Sequence, residues 1–336
     1  MNHTTTQSAS ALGWSRLPAA YAIPASAPSV AEAREYCAHL ARTHYENFSV
    51  ATWFLPKRLR QHFFNVYAYC RISDDLGDEV GDASASLELL DQWQRELEAC
   101  YAGSPKHPVF VALAETVRQF DIPQQEFSDL LIAFRQDQTV TRFETFHDVL
   151  AYCRYSANPV GHLVLYLCGY RDAERQQLSD YTCTALQLAN FWQDVTRDYA
   201  KGRIYLPLED LRRFSVTEDD ILCGRNTPAF CAMMRFEVER TNDWFRRGQP
   251  LVSMVDRELA IDLDLFTRGG QEILSAIEQQ DYAVLGNRPE ISKPRKLALV
   301  ARAALGKLLP SGRPTNLSSA DSRATQPHQN NKGISA

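Results

Sequence analysis

An all-α fold is predicted by three features of the 336-residue chain. Apolar residues recur at helical spacing almost continuously from residue 29 to residue 308. No stretch alternates polar and apolar positions long enough for a strand, and no Asn-Gly or Asp-Gly pair joins two β-branched runs. Apolar residues make up 45%, enough for a large core, so global disorder is excluded. No Gly/Pro-rich linker or solenoid-length repeat divides the middle, so one helical domain is expected over residues 29–309. A Ser/Thr/Ala/Pro-rich segment, 1–28, reads as a loose leader, and the polar segment 310–336 as a disordered tail.

The elements follow in order. Ser29 and Glu32 have capping-box spacing ahead of an Ala-rich helix. Further helices are expected over 57–79, 85–101, 106–119, 123–137, 144–169, 173–199, 227–247, 251–284 and 290–308. Pro159 and Gly161 are expected to kink their helix and to let backbones approach closely.

Charge and cysteine usage narrow the class. With 36 basic and 41 acidic side chains the net charge is -5, which argues against a nucleic-acid binder with a broad basic surface. The eight cysteines show no CxxC spacing, lie mostly in apolar runs and read as buried reduced thiols. No signal peptide is visible, and no apolar run reaches the roughly 18 residues of a membrane span. A cytoplasmic protein is expected.

Two segments carry the chemistry. In FFNVYAYCRISDDLGDE (63–79), Tyr67, Arg71, Asp74 and Asp78 fall at i, i+4, i+7 and i+11, on one helical face. In QLANFWQDVTRD (187–198), Gln187, Asn190, Asp194 and Asp198 fall at i, i+3, i+7 and i+11, again on one face. A solvated acidic face is the plain alternative. Against it, like charges at i,i+4 cost a helix roughly 0.2–0.5 kcal/mol, which calls for a compensating partner. The residues leading into each stripe are also apolar all round: Phe63, Phe64, Val66, Ala68 and Tyr69, then Leu186, Leu188, Ala189, Phe191 and Trp192. Such helices are buried, so the carboxylates are expected to emerge at the mouth of a core and to need cations there.

Hard oxygen ligands without His or Cys suit Mg²⁺ bridging carboxylates to substrate phosphates. The histidines have no zinc-ligand spacing, and neither a GxxxxGKS loop nor a GxGxxG turn is present, so no nucleotide cofactor is expected. Two DD-type helices around an apolar cavity fit ionisation of an allylic or cyclopropylcarbinyl diphosphate, with aromatic walls holding the carbocation.

In these residues the chain resembles the squalene/phytoene synthase family of head-to-head terpene synthases, over roughly residues 35–285. YAYCRISDDLGDE looks like the first aspartate-rich motif, QLANFWQDVTRDYAKGRIYLP like the second, and YCRYSANPVG (152–161) like the central helix. The resemblance implies a single isoprenoid-synthase helical domain with a central cavity. It implies Mg²⁺ ligation by Asp74, Asp78, Asn190, Asp194 and Asp198. It further implies diphosphate contacts from Tyr67, Arg71, Gln187 and Arg203, and a place for Tyr152 in the cavity wall near the reacting carbons.

Two positions depart from the pattern. Gln193 stands where the family has an Arg before the second motif, and Glu46 stands in HYENFSVATWFLP where a Lys is common. The combination ENFSVA, SANPVG and NFWQDV looks like the bacterial hopanoid-pathway subgroup that makes hydroxysqualene. That likeness implies a carbon–oxygen lyase acting on presqualene diphosphate, with water trapping the cation and no NADPH. It also implies neighbouring enzymes that supply presqualene diphosphate and reduce hydroxysqualene, and it is compatible with peripheral contact at the inner membrane face to release product. A sister enzyme condensing two prenyl diphosphates to presqualene diphosphate, squalene or phytoene is the alternative, and a non-catalytic helical scaffold is opposed by the intact carboxylate pairs.

The remaining residues carry blander expectations. Lys201 is expected to answer its helix dipole, worth about 0.3–1 kcal/mol, whereas Arg203 suits a diphosphate. Asp75, Glu79 and Asp82 are expected to be solvated. Tyr155, Phe48, Phe191 and Trp192 are expected in the core, and His44 and His162 as structural histidines.

Overall fold

Capping chemistry sets most helix starts. The computed structural model describes residues 14–43 and 57–308. The first helix, α1 (Val30–Thr43), begins at a reciprocated box: Ser29 N–H and hydroxyl donate to Glu32, whose N–H donates back to Ser29 Oγ. Next come α2 (Arg60–Asp78), α3 (Ala83–Ala102), α4 (Pro108–Phe120) and α5 (Gln124–Gln136). Asp82 caps α3 by accepting from Ala85 N–H, and Gly103 closes it at φ 85°, a left-handed conformation that glycine adopts without a Cβ clash. Asp82 thus serves as a cap, while Glu79 is exposed as expected.

The expected helix over 144–169 is two helices, α6 (Phe146–Ser156) and α7 (Asn158–Leu167). The break lies at Ala157 (φ -123°, ψ -47°), and Pro159 enters in the first turn of α7, where a missing N–H costs nothing. Gly161 permits the close packing expected of it: a Cβ there would stand 2.3 Å from Ser179 Oγ and 2.6 Å from Cys183 Sγ. Both belong to the long α8 (Ala173–Ala200).

Two short helices, α9 (Leu208–Arg213) and α10 (Glu218–Leu222), escape periodicity because neither spans two turns. They are followed by α11 (Pro228–Gly248), α12 (Arg257–Gln279) and α13 (Lys293–Leu308). The expected helix over 251–284 is shorter at both ends. Asp256 caps α12 at its start, and Asp281 and Tyr282 take positive φ just beyond its end. Among the described residues there are thirteen α-helices and no strand, only an isolated bridge between Arg142 and Ile204. No helix there is long and apolar enough to cross a membrane.

The core has two main centres. One gathers α1 to α5 around Trp93, whose indole donates to Ser73 Oγ, and Tyr69, whose hydroxyl donates to the Phe127 carbonyl. The other gathers α6, α8 and α11 around Trp192, whose indole donates to Thr241 Oγ1. Helix α7 packs against both α2 and α8.

Part of the expected leader is built into the first centre. Trp14 donates to Gln92, and Tyr21 is buried with its hydroxyl on Asp75, so residues 14–28 are not a loose segment in their described part. The tail 310–336, Glu46, His44 and Phe48 lie outside the described residues.

Candidate active site

Helix α2 enters its stripe through a buried run and opens only at its last turn. Phe63, Phe64, Val66, Ala68 and Tyr69 are all buried; Arg71, Asp74 and Asp78 are partly open. In α8, Leu188, Ala189, Phe191 and Trp192 are buried, whereas Asp194 and Asp198 are partly open and Asn190 is exposed. Gln187 and Tyr67 are half-buried. The expectation that each stripe rises out of a core is met.

Ion pairs bring the two stripes together. Lys201 Nζ, from the C-cap of α8, lies 2.8 Å from Asp78 Oδ2, and Arg203 Nη1 lies 3.0 Å from Asp78 Oδ1. Burial would raise the Asp78 carboxyl, but these two cations outweigh it and hold the pKa below the ordinary value. Lys201 is therefore part of the cluster, contrary to its expected role at the helix dipole alone: the turn after α8 carries its ammonium across to α2.

Asp75 corrects another expectation. It is buried, accepts from Tyr21 Oη at 2.8 Å and from Arg71 Nε at 3.0 Å, and receives a second bond from Arg71 Nη2. Arg71 therefore grips Asp75 in this structure and stands 3.9 Å from Asp74.

Each stripe keeps one carboxylate without a close hydrogen-bonded cation, Asp74 having Arg71 only at 3.9 Å. The Asp74 pKa is pushed up to about 6 by desolvation and then by Asp78. The Asp198 pKa is pushed up to about 7 by desolvation and then by Asp194. Asp194, by contrast, takes the Arg288 fork, with Nε 2.6 Å from Oδ1 and Nη2 2.8 Å from Oδ2. At that residue α8 departs from helical geometry (φ -105°, ψ 15°).

Behind the carboxylates stands an aromatic panel. Phe191 and Tyr205 stack with centroids 3.9 Å apart, and Tyr152 and Phe143 pack against Tyr205 at 5.6 and 5.5 Å. Tyr152 is buried there, and its hydroxyl donates to Asp137 Oδ2 at 2.9 Å. Burial pushes the Asp137 pKa up to about 6 against the pull of Arg203, whose Nη2 also donates to the Asp137 carbonyl at 3.4 Å. Two surface crevices, of about 490 and 300 Å³, lie elsewhere, against Cys100 and Arg118 and against Asp180 and Trp244.

The donor set suits Mg²⁺ shared with a substrate. Among the described residues no three His, Cys, Asp or Glu side chains form a ready cage. Mg²⁺ needs none: it is held by one or two carboxylates together with phosphate oxygens and waters. Asp74 and Asp198, partly open and without a close hydrogen-bonded cation, fit that role.

Asp137, Tyr205 and Arg288 have no signal in periodicity. Asp137 sits at the end of α5, while Tyr205 and Arg288 lie in irregular segments, so none belongs to a stripe. Other expectations hold. His162 is a partnered structural histidine between Glu126 and Asp180, and Phe191 and Trp192 are core. All eight cysteines are free, but only Cys37, Cys100 and Cys153 are buried, and Cys223 is exposed.

Comparison with known proteins agrees with this geometry. The squalene/phytoene synthase family model matches residues 41–295. A 15-cis-phytoene synthase from Synechocystis sp. is 31% identical over 281 residues, covering 80% of this chain and 83% of that protein. The crystal structure of squalene synthase HpnC from Alicyclobacillus acidocaldarius is 43% identical with a TM-score of 0.73, covering 80% of this chain and 98% of that one. A dehydrosqualene synthase solved with a ligand is 27% identical with a TM-score of 0.75, covering 82% and 96%. With a model match over most of its length and two acidic helices beside an aromatic panel, the chain belongs to the squalene/phytoene synthase family.

Proposed function

We propose that this chain is a hydroxysqualene synthase, a Mg²⁺-dependent carbon–oxygen lyase that turns presqualene diphosphate and water into hydroxysqualene and diphosphate. The carrying observation is the charge inventory of the site. Arg203 and Lys201 sit on Asp78, Arg288 on Asp194 and Arg71 on Asp75, and position 193 adds an uncharged Gln193. Such a set matches one diphosphate better than two. The 43% identity to a squalene synthase supports a squalene-type rather than a phytoene-type product.

Mg²⁺ supplies Lewis-acid stabilisation of the departing diphosphate when it is bound. Asp74, Asp78, Asn190, Asp194 and Asp198 are the residues proposed to hold it. Tyr67, Arg71, Gln187 and Arg203 are proposed to orient the diphosphate, with Arg203 supplying a guanidinium fork suited to phosphate oxygens. The carbon–oxygen bond breaks with its electron pair going to the leaving oxygen. Tyr152, Phe191 and Tyr205 exclude bulk water and stabilise the cation through their ring faces. Water then adds to the rearranged cation and gives up its proton to the departing diphosphate. Asp137 fixes the Tyr152 hydroxyl in this aromatic panel.

One observation favours the condensing alternative. Arg288 places a guanidinium beside Gln193 after all, 2.9 Å from its Oε1, and the phytoene synthase from Synechocystis sp. is 31% identical. Gas chromatography–mass spectrometry on parallel reactions, with Mg²⁺ and without NADPH, separates the two. Hydroxysqualene from presqualene diphosphate, with farnesyl diphosphate untouched, is the expected result; consumption of farnesyl diphosphate establishes the alternative. Peripheral contact with an anionic lipid surface is supported by α13, which exposes Leu297 and Leu305 and carries the exposed Lys293 and Lys296 in its first turn.

A further inference from the structure

Gln193 is tied to the segment between α12 and α13 by both ends of its carboxamide. The side chain is buried; Nε2 donates to the Pro289 carbonyl at 2.6 Å, and Oε1 accepts from Arg288 Nη2 at 2.9 Å. The same guanidinium reaches the next residue of α8, Asp194, through Nε and Nη2. The segment is pinned just before this contact. Gly286 N–H donates to Thr196 Oγ1 at 3.3 Å, and Leu285 exchanges two bonds with Asn226 at 3.0 and 2.9 Å. Arg197 adds only a 3.6 Å approach to Asp194 from the exposed side.

A carboxylate whose two oxygens both accept from one fork is a weaker ligand for a metal ion, because one lone pair on each oxygen is occupied and the guanidinium offsets its charge. We propose that Gln193 is a positioning residue that seats Arg288 on Asp194, and that Arg288 competes there with the divalent cation. The second acidic pair therefore has a low affinity for a bare ion, and the site favours metal that arrives already bound to a diphosphate. The inference rests on the metal-binding reading of Asp194 and Asp198.

The test is Mn²⁺ binding to the full chain without any diphosphate, followed by electron paramagnetic resonance. Arg288→Gln is expected to bind Mn²⁺ about tenfold more tightly than the unaltered protein, the order expected for removing one nearby charge. Gln193→Leu, which frees the fork without removing it, is expected to shift affinity in the same direction by less. Arg288→Lys is expected to fall between the unaltered protein and Arg288→Gln, because a point charge remains without the fork. Adding Asp194→Ala to Arg288→Gln is expected to abolish the gain, which locates it at this carboxylate. Unchanged or weaker Mn²⁺ binding in Arg288→Gln, with helicity retained by circular dichroism, overturns the inference while leaving the metal site standing. No Mn²⁺ binding in any of the proteins overturns both.

Discussion

The two acidic helices carry the same stripe and are clasped in opposite ways. In α2 the later aspartate, Asp78, is held by Lys201 and Arg203, while Asp74 has only Arg71 at 3.9 Å. In α8 the earlier aspartate, Asp194, is held by Arg288, and among the described residues no ion pair reaches Asp198. Each pair thus keeps one carboxylate satisfied by a cation and one partly open. A fully clasped pair would have nothing left for a cation, and a fully open one would repel itself at i,i+4 spacing. The half-clasped arrangement lets both pairs persist in a folded protein and still accept a charged substrate.

The comparison can be broken at its strongest point first. Asp74→Ala or Asp194→Ala should each lower turnover about 10³-fold, the scale for losing electrostatic stabilisation of a leaving group, with helicity unchanged. Product formation and far-UV circular dichroism on the same samples check this, and near-normal rates would remove the metal role from that helix. Arg203→Ala should cost more activity than Lys201→Ala, since the Arg203 side chain is 14% exposed and that of Lys201 54%. Comparable kcat/KM losses would contradict that ordering.

The two cores behind the helices should be equally indispensable to folding. Trp93→Ala and Trp192→Ala should each destabilise by about 3–5 kcal/mol, read by urea denaturation. Gly161→Ala should cost about 1–3 kcal/mol through overpacking against Ser179 and Cys183, where α7 meets α8.

A smaller effect is set by pH. Desolvation opposes the charged form of His162, but Asp180 and Glu126 override it and raise its pKa from 6.5 to about 9. A histidine raised on folding contributes its full stability below its unfolded value and loses it as pH climbs to the folded one. Stability should therefore fall between about pH 6.5 and 9, and His162→Gln should flatten that slope in denaturation curves.

What was legible in the sequence follows from locality. The carboxylates of both stripes lie within one helix, so their spacing predicts their shared face, and the apolar residues before them predict its burial. Arg203 is legible as a diphosphate contact from the motif around it, but its clasp on Asp78, 125 residues away, is not, and nothing local marks Arg288, 94 residues from Asp194. Asp75 was misread for the same reason: its partner Tyr21 sits 54 residues earlier in a stretch whose composition suggests no structure. Pro159 could be read correctly because its effect is on its own backbone. Asp137 could not, since its bond to Tyr152 depends on how α5 meets α6.

The central claim is that one diphosphate ionises between these helices and that water captures the cation. The most direct test is turnover of presqualene diphosphate with Mg²⁺ in ¹⁸O-labelled water, read by mass spectrometry of the product. The account predicts hydroxysqualene carrying a single ¹⁸O in its hydroxyl group. An unlabelled alcohol, or a hydrocarbon with no oxygen, would contradict it.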